Sequence, residues 1–281
     1  MYESYFGLQE TPFALTPDTR YFLRAETHRQ ALELLLAALQ QREGFIKISG
    51  EVGTGKTLLC RMLLNALEGN AVTAYIPNPH LSPDGLYEAV ADELGVDMAI
   101  EGNTHRRVKA ISERLIMLAE DGRTPVLVID EAQAMPEETI ESLRLLTNLE
   151  TERTKLLQVV LFGQPELDAM LDRPSLRQLK QRITFQQKLQ PLDRPAVAQY
   201  LQHRLAQAGY NGPVLFEPVA VKMIGRASGG IPRLVNILAH KALLAAWGRG
   251  DRAIGRWHVR QAIRDTDSVQ PRRWYWLGSW T

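Results

Sequence analysis

The chain has 281 residues, 33 of them basic and 32 acidic, for a formal charge of +1, and 45% are hydrophobic. That balance argues against disorder over most of the length and against a protein that is basic throughout, while permitting a local charged patch. The single cysteine, Cys60, excludes a disulfide framework and a multi-cysteine zinc site and fits a reducing compartment.

Residues 1–24 carry Tyr2, Tyr5, Phe6, Phe13, Tyr21 and Phe22 among Pro12 and Pro17, an irregular aromatic segment expected to pack on a larger body. Leu32, Leu35, Leu36 and Leu39 share one face of a helix over 26–41. A strand over 45–49 leads into a loop over 50–57 and a helix over 58–67. A second strand is expected at 71–76, with helices at 82–94 and 104–120. Val126-Leu127-Val128-Ile129 is wholly apolar, as suits a central parallel strand covered on both faces. A helix over 137–149, a buried strand over 156–162, short helices over about 165–181 and a strand over 183–189 follow. This alternation predicts an α/β domain with a parallel sheet flanked by helices. After Pro191 the strands stop, and 195–208, 217–227, 231–247 and 256–265 all read as helices. The expected organisation is an α/β domain over 1–190, a small helical domain over 191–267 and a tail over 268–281 that is basic and then aromatic. No run of about 18 apolar residues predicts a membrane span, and the N-terminus shows no secretory leader, so the expected location is the cytoplasm.

Gly50-Glu51-Val52-Gly53-Thr54-Gly55-Lys56-Thr57 matches G-x-x-x-x-G-K-[ST] and sits between a predicted strand and a predicted helix. Glycines there let backbone N–H groups curl round a phosphate, and the helix starting near Leu58 presents its positive end to that anion. Lys56 would reach the β- and γ-phosphates and Thr57 would ligate Mg²⁺. Asp130 follows the apolar run, at the strand edge where open α/β sheets bind ligands, and would hold Mg²⁺ through water. Glu131 would polarise an attacking water as general base. Gln164, after the next buried strand, would touch the γ-phosphate or that water. Arg177 and Arg182 precede the last strand, where an arginine would face a neighbouring subunit's nucleotide or simply lie in water. Gly229-Gly230-Ile231-Pro232-Arg233 opens a helix, and Arg233 would close onto the γ-phosphate. His28 and Cys60 are weaker candidates: the histidines lack metal-ligand spacing, and Cys60 reads as packing. Residues 249–273 hold seven arginines against three aspartates. They read as a solvated face and tail, or as a footprint for acidic lipid, nucleic acid or a partner protein.

In their order, Gly50–Thr57, Ile129-Asp130-Glu131, Gln164, Arg182 and Gly229–Arg233 resemble the AAA+ ATPases. That resemblance implies a P-loop, three-layer α/β domain followed by an all-helical lid. ATP would bind between the two, and the chains would assemble as a homo-oligomeric ring or partial ring, often hexameric. A narrower resemblance, running to about residue 265, is to the secretion ATPases of the general secretion pathway A (ExeA-like) family. It is carried by Tyr5-Phe6-Gly7-Leu8, Thr11-Pro12-Phe13, Leu15-Thr16-Pro17, the Gly50–Thr57 loop, Asp130-Glu131-Ala132-Gln133 and Gly163-Gln164-Pro165-Glu166-Leu167. Full-length secretion members continue into a membrane span and a peptidoglycan-binding region. The present sequence ends before either and looks more like the short branch, the biogenesis ATPases of the mannose-sensitive haemagglutinin pilus, a type IV pilus. The resemblance implies partners among inner-membrane pilus or secretion platform proteins, and a location peripheral to that membrane. The competing expectation is a DNA-associated AAA+ ATPase similar to transposition regulators, against which the near-neutral charge weighs. A GTPase or small-molecule kinase is disfavoured by the lack of an Asn-Lys-x-Asp element and by the helical lid.

Overall fold

The computed structural model describes residues 1–23, 26–96, 104–123, 125–147 and 155–269. In chain order the elements are α1 (Glu3–Phe6), α2 (Glu26–Gln40), β1 (Phe45–Gly50), α3 (Lys56–Leu67), β2 (Val72–Ile76), α4 (Pro83–Glu93), α5 (Thr104–Glu120) and β3 (Pro125–Ile129). Then come α6 (Glu137–Thr147), β4 (Gln158–Gly163), α7 (Pro165–Leu171), α8 (Arg177–Lys180) and β5 (Ile183–Leu189). The C-terminal helices are α9 (Arg194–Gln207), α10 (Pro218–Ser228), α11 (Pro232–Arg249) and α12 (Arg256–Arg264). The described chain falls into two compact units, Arg24–Gln190 and a second that joins Met1–Leu23 to Pro191–Thr281.

In the first unit the five strands lie parallel in the order β2-β3-β4-β1-β5. Every residue of β1, β3 and β4 is buried, as befits strands covered on both faces. β5, at the border of the sheet, alternates partly buried and exposed positions until Leu189. The core on one side combines Leu127, Ile129, Val159 and Leu161 with Leu86, Val90, Ile111 and Leu115 of α4 and α5. Each such side chain contributes about 1.5–3 kcal/mol on burial. The register sets Ile129 against Leu161 and Ser49 against Gly163, so the chain leaves β3, β4 and β1 at a common carboxyl edge.

Two element starts differ from expectation for local reasons. Helix α3 begins at Lys56 rather than 58, because Gly55, at φ +100°, is the last residue of the loop and hands straight over to the helix. Strand β4 begins at Gln158 rather than 156. Leu156 and Leu157 are buried but precede the ladder, and the Gln158 side chain fixes its start by donating to the carbonyls of Leu39 (3.1 Å) and Glu43 (3.0 Å). The predicted helix over 137–149 is seen to Thr147; its last two residues lie outside the described ones.

The second unit is helical. Residues 1–23 group with it, whereas the sequence reading placed them in a domain over 1–190. The physical reason is a set of specific anchors. Arg204 of α9 donates to the carbonyls of Pro12 (2.6 Å) and Ala14 (3.0 Å), and its guanidinium lies 4.3 Å from the centre of the Tyr21 ring. The Gln9 amide donates to Ala208 O at 2.8 Å, and the Tyr2 hydroxyl is hydrogen-bonded to His240 Nδ1 at 2.8 Å. Tyr2, Phe6 and Phe13 are buried by these contacts. The tail expected over 268–281 lies outside the described residues from 270 onward.

Candidate nucleotide-binding site

The loop between β1 and α3 is built around a buried cation. Lys56 is 4% exposed, and its ammonium donates to the carbonyls of Gly50 (2.7 Å) and Glu51 (3.1 Å). Among the described residues no carboxylate lies within ion-pair distance of it. Burial pushes its pKa down, opposed by the more distant charges of Glu131, Asp130, Glu51 and Glu166. Thr54 closes the loop by donating from Oγ1 to Glu51 O at 2.8 Å. Glu51 and Val52 are exposed at the rim, and Gly53, Gly55, Thr57 and Leu58 are half-buried.

Asp130 and Glu131 follow β3 directly. The Asp130 carboxylate is buried, which pushes its pKa up against the hydrogen bonds it accepts from the Thr57 side chain and the Glu131 amide (2.9 Å). Thr57 and Asp130, the two expected metal ligands, are therefore together. Hard oxygens in this number fit Mg²⁺, which keeps several waters and takes few protein ligands when it accompanies phosphates. Among the described residues no group of three or more metal-ligating side chains exists.

Glu131 has left-handed backbone angles, φ +51° and ψ +39°, uncommon for a residue with a side chain. Its Oε2 accepts from Gln133 Nε2 (2.5 Å) and from Gln164 Nε2 (3.0 Å), and Gln133 Oε1 accepts from the Gln164 amide (2.9 Å). Burial would raise this carboxyl, but the Gln164 and Gln133 amides and Lys56 hold it below its ordinary value, in the carboxylate form. Gln164 thus stands beside Glu131 and grips it. Gln133 had no role in the sequence reading; the signal was the Glu-x-Gln spacing.

His28 is a second residue that sequence reasoning undervalued. Its buried ring reaches from α2 to the loop, where Nε2 lies 2.7 Å from Thr54 O. A carbonyl can only accept, so Nε2 carries the proton. Burial lowers the ring's pKa, against the support of that hydrogen bond, favouring the neutral form. A Cβ on Gly55 would meet Nε2 at 3.0 Å, so the glycine admits the ring as well as the turn. Cys60 is fully buried in α3 and burial pushes its thiol up, which makes it packing rather than a nucleophile.

The remaining candidates lie elsewhere. Arg182 sits ahead of β5, at the amino end of a strand whose carboxyl end borders the loop, and its Nη1 donates to Thr147 Oγ1 at 3.4 Å. Arg177 is exposed on α8. Arg233 belongs to the helical unit and is exposed in the first turn of α11. The Gly229-Gly230 turn before it is pinned to the chain entering α9: Leu192 N donates to Gly230 O at 2.9 Å, and a Cβ on Gly230 would lie 2.0 Å from Leu192 O. Within 249–273, Arg249 pairs with Asp251 at 3.0 Å and Arg252 stacks 3.9 Å over the Tyr5 ring, so part of the basic excess is spent inside the unit.

Residues 39–171 match the family model described as AAA domain. General secretion pathway protein A of Aeromonas hydrophila is 42% identical over 270 residues, covering 96% of this chain and 49% of that protein, so the chain spans about half the length of this relative. Among solved structures, the ORC2 protein of Aeropyrum pernix in ADPNP–ADP complexes is similar with a TM-score of 0.68 at 16% identity, over 93% of this chain and 72% of that one. The RuvB Holliday junction branch migration motor of Thermotoga maritima is similar with a TM-score of 0.60 at 18% identity, over 90% and 73%. At these identities the structures share the fold alone. With its strand order β2-β3-β4-β1-β5, its phosphate loop after β1 and its helical C-terminal region, the chain has the AAA+ α/β fold, and its residues 39–171 match the AAA domain model.

Proposed function

We propose that the chain is an ATPase that binds and hydrolyses ATP with Mg²⁺ to assist assembly of a type II secretion machine or a type IV pilus at the inner membrane. The observation that carries the chemistry is the convergence at one sheet edge of a buried Lys56 held by the Gly50 and Glu51 carbonyls, the Thr57–Asp130 pair and the amide-gripped Glu131. Bound Mg²⁺–ATP would supply the phosphoryl group and the charge that neutralises it. Lys56 would give up carbonyl contacts for phosphate oxygens, and Thr57 and Asp130 would hold the metal. Gln133 and Gln164 both donate to Oε2 of Glu131, which leaves Oε1 to take a proton from the attacking water. Arg182 would act on a neighbour's γ-phosphate, since it lies at the far end of β5 from its own loop. Arg233 would report nucleotide state to the helical unit as a lid. The role of Arg182 implies a homo-oligomer.

Identity of 42% to general secretion pathway protein A across nearly the whole chain supports the secretion class. A pull-down from membranes with Glu131→Gln, which keeps ATP bound, should recover secretion or pilus platform proteins; recovery of chromosomal DNA instead would favour the transposition-like reading. Mixing inactive Arg182→Ala with inactive Glu131→Gln should restore part of the ATPase rate, because mixed interfaces combine an intact loop with an intact arginine. No recovery from co-assembled subunits would overturn the role in trans.

A further inference from the structure

All five tryptophans of the chain, Trp247, Trp257, Trp274, Trp276 and Trp280, fall in its last 35 residues, interleaved with arginines. Two of them are in the described structure, and both are exposed: Trp247 (38%) at the end of α11 and Trp257 (43%) at the start of α12. A large aromatic left open on a folded domain marks an interaction surface when it is not alone. Helix α12 turns His258, Val259 and Ala262 inward. Arg256, Arg260 and Arg264 recur every fourth residue on the open side and share it with Trp257. The helix carries no acidic residue. Of the nearby carboxylates, Asp251 is engaged by Arg249 and His258 and Asp265 by Lys241, while Glu217 sits beside Gly255 and Asp267 lies exposed past the end of the helix. Among the described residues none of the three α12 arginines has an ion-pair partner. Arg249, stacked 4.3 Å over the Trp257 ring, adds a further cation beside the aromatic.

We propose that the open face of α12, with Trp257 and Trp247, is a docking surface for an anionic lipid headgroup layer. Duplex DNA would satisfy the arginines equally, but tryptophan is the side chain suited to the boundary between water and hydrocarbon, with an apolar body and one N–H donor. The sequence beyond Arg272 and Arg273 repeats the pairing with Trp274, Tyr275, Trp276, Leu277 and Trp280. Arginines on an amphipathic helix supply the attraction, and the indoles hold the contact at headgroup depth. The inference rests on the proposed function only in placing the chain at a membrane. It is tested without nucleotide, so a failed ATPase reading and a failed lipid reading are told apart.

The measurement is binding to phosphatidylglycerol–phosphatidylcholine vesicles, followed by co-sedimentation and by tryptophan emission, all five tryptophans lying in the last 35 residues of the sequence. Binding with a blue shift is expected, weakening as salt is raised, with no binding to pure phosphatidylcholine. Arg256→Ala/Arg260→Ala/Arg264→Ala should weaken binding roughly a hundredfold, at about fivefold per arginine, and the triple lysine variant should retain it. Trp257→Ala should reduce the blue shift in a chain whose circular dichroism is unchanged. No binding to anionic vesicles, or binding indifferent to the triple alanine variant, would overturn the proposal. So would tighter binding to a short DNA duplex than to the vesicles.

Discussion

Strand β1 and the loop it feeds hold two buried lysines that are handled differently. Lys47, in the middle of the strand, forms an ion pair with Asp168 of α7. Lys56, nine positions on, is buried at least as deeply, and its ammonium donates to backbone carbonyls with no carboxylate within ion-pair distance among the described residues. A buried charge without a counter-ion is costly, and its pKa falls in consequence. A paired buried lysine is ordinary structure. An unpaired one, with carboxylates kept at a distance, is a cation waiting for an anion.

Removing what faces each lysine should separate the two. Glu131→Gln takes away a charge facing Lys56 and should leave ATP binding intact while lowering turnover by roughly 10²–10⁴-fold, the usual worth of a general base. Wild-type turnover would show that Glu131 does not take the proton. Lys56→Ala should weaken nucleotide binding about a hundredfold in a calorimetric titration, since a charge-assisted contact to phosphate is worth up to about 3 kcal/mol. Asp168→Asn strands Lys47 and should lower unfolding free energy in urea by about 2 kcal/mol, less than for a sealed pair because Asp168 is a third exposed. Its nucleotide affinity should stay within about twofold. A loss like that of Lys56→Ala would erase the distinction between the two lysines.

The smallest effect concerns the loop's support. His28→Phe removes the donor to Thr54 O and should weaken nucleotide binding about fivefold, at about 1 kcal/mol for a neutral hydrogen bond. His28→Gln, which keeps an N–H donor, should restore most of it. The ring also predicts a pH dependence. Its folded pKa lies below the ordinary value of about 6.5, so the unfolded chain binds more protons as pH falls through that value. Stability from this group is therefore complete above about pH 6.5 and declines below it. His203 and His240 shift in the same direction, so the wild type minus His28→Gln difference isolates His28. Identical pH profiles for the two proteins would exclude its contribution.

The parts of the site legible in the sequence are those whose chemistry is local. The phosphate loop, Asp130 and Glu131 each follow a short apolar strand, and both strand and motif can be read within a dozen residues. His28 could not be read that way, because its partner lies 26 residues on and the contact exists only once α2 packs beside the loop. Gln164 was found as a strand-end polar group, but its grip on Glu131 depends on β3 and β4 being neighbours. The attachment of residues 1–23 to the helical unit depends on Arg204, about 190 residues away, whose targets are backbone carbonyls that no side-chain pattern reveals. For Arg182 and Arg233 the sequence names a role that needs a second chain or a second unit, which one folded unit does not display.

The left-handed backbone at Glu131 has a consequence for anyone seeking a sturdier version of this protein. A side chain in that region costs roughly 1–2 kcal/mol that glycine would not incur. Position 131 is therefore among the first places a selection for thermal endurance would alter, and Glu131→Gly would survive heat better while losing the carboxylate that the proposed reaction requires. Here durability and work compete for a single residue, and the glutamate's presence records which of the two has been kept.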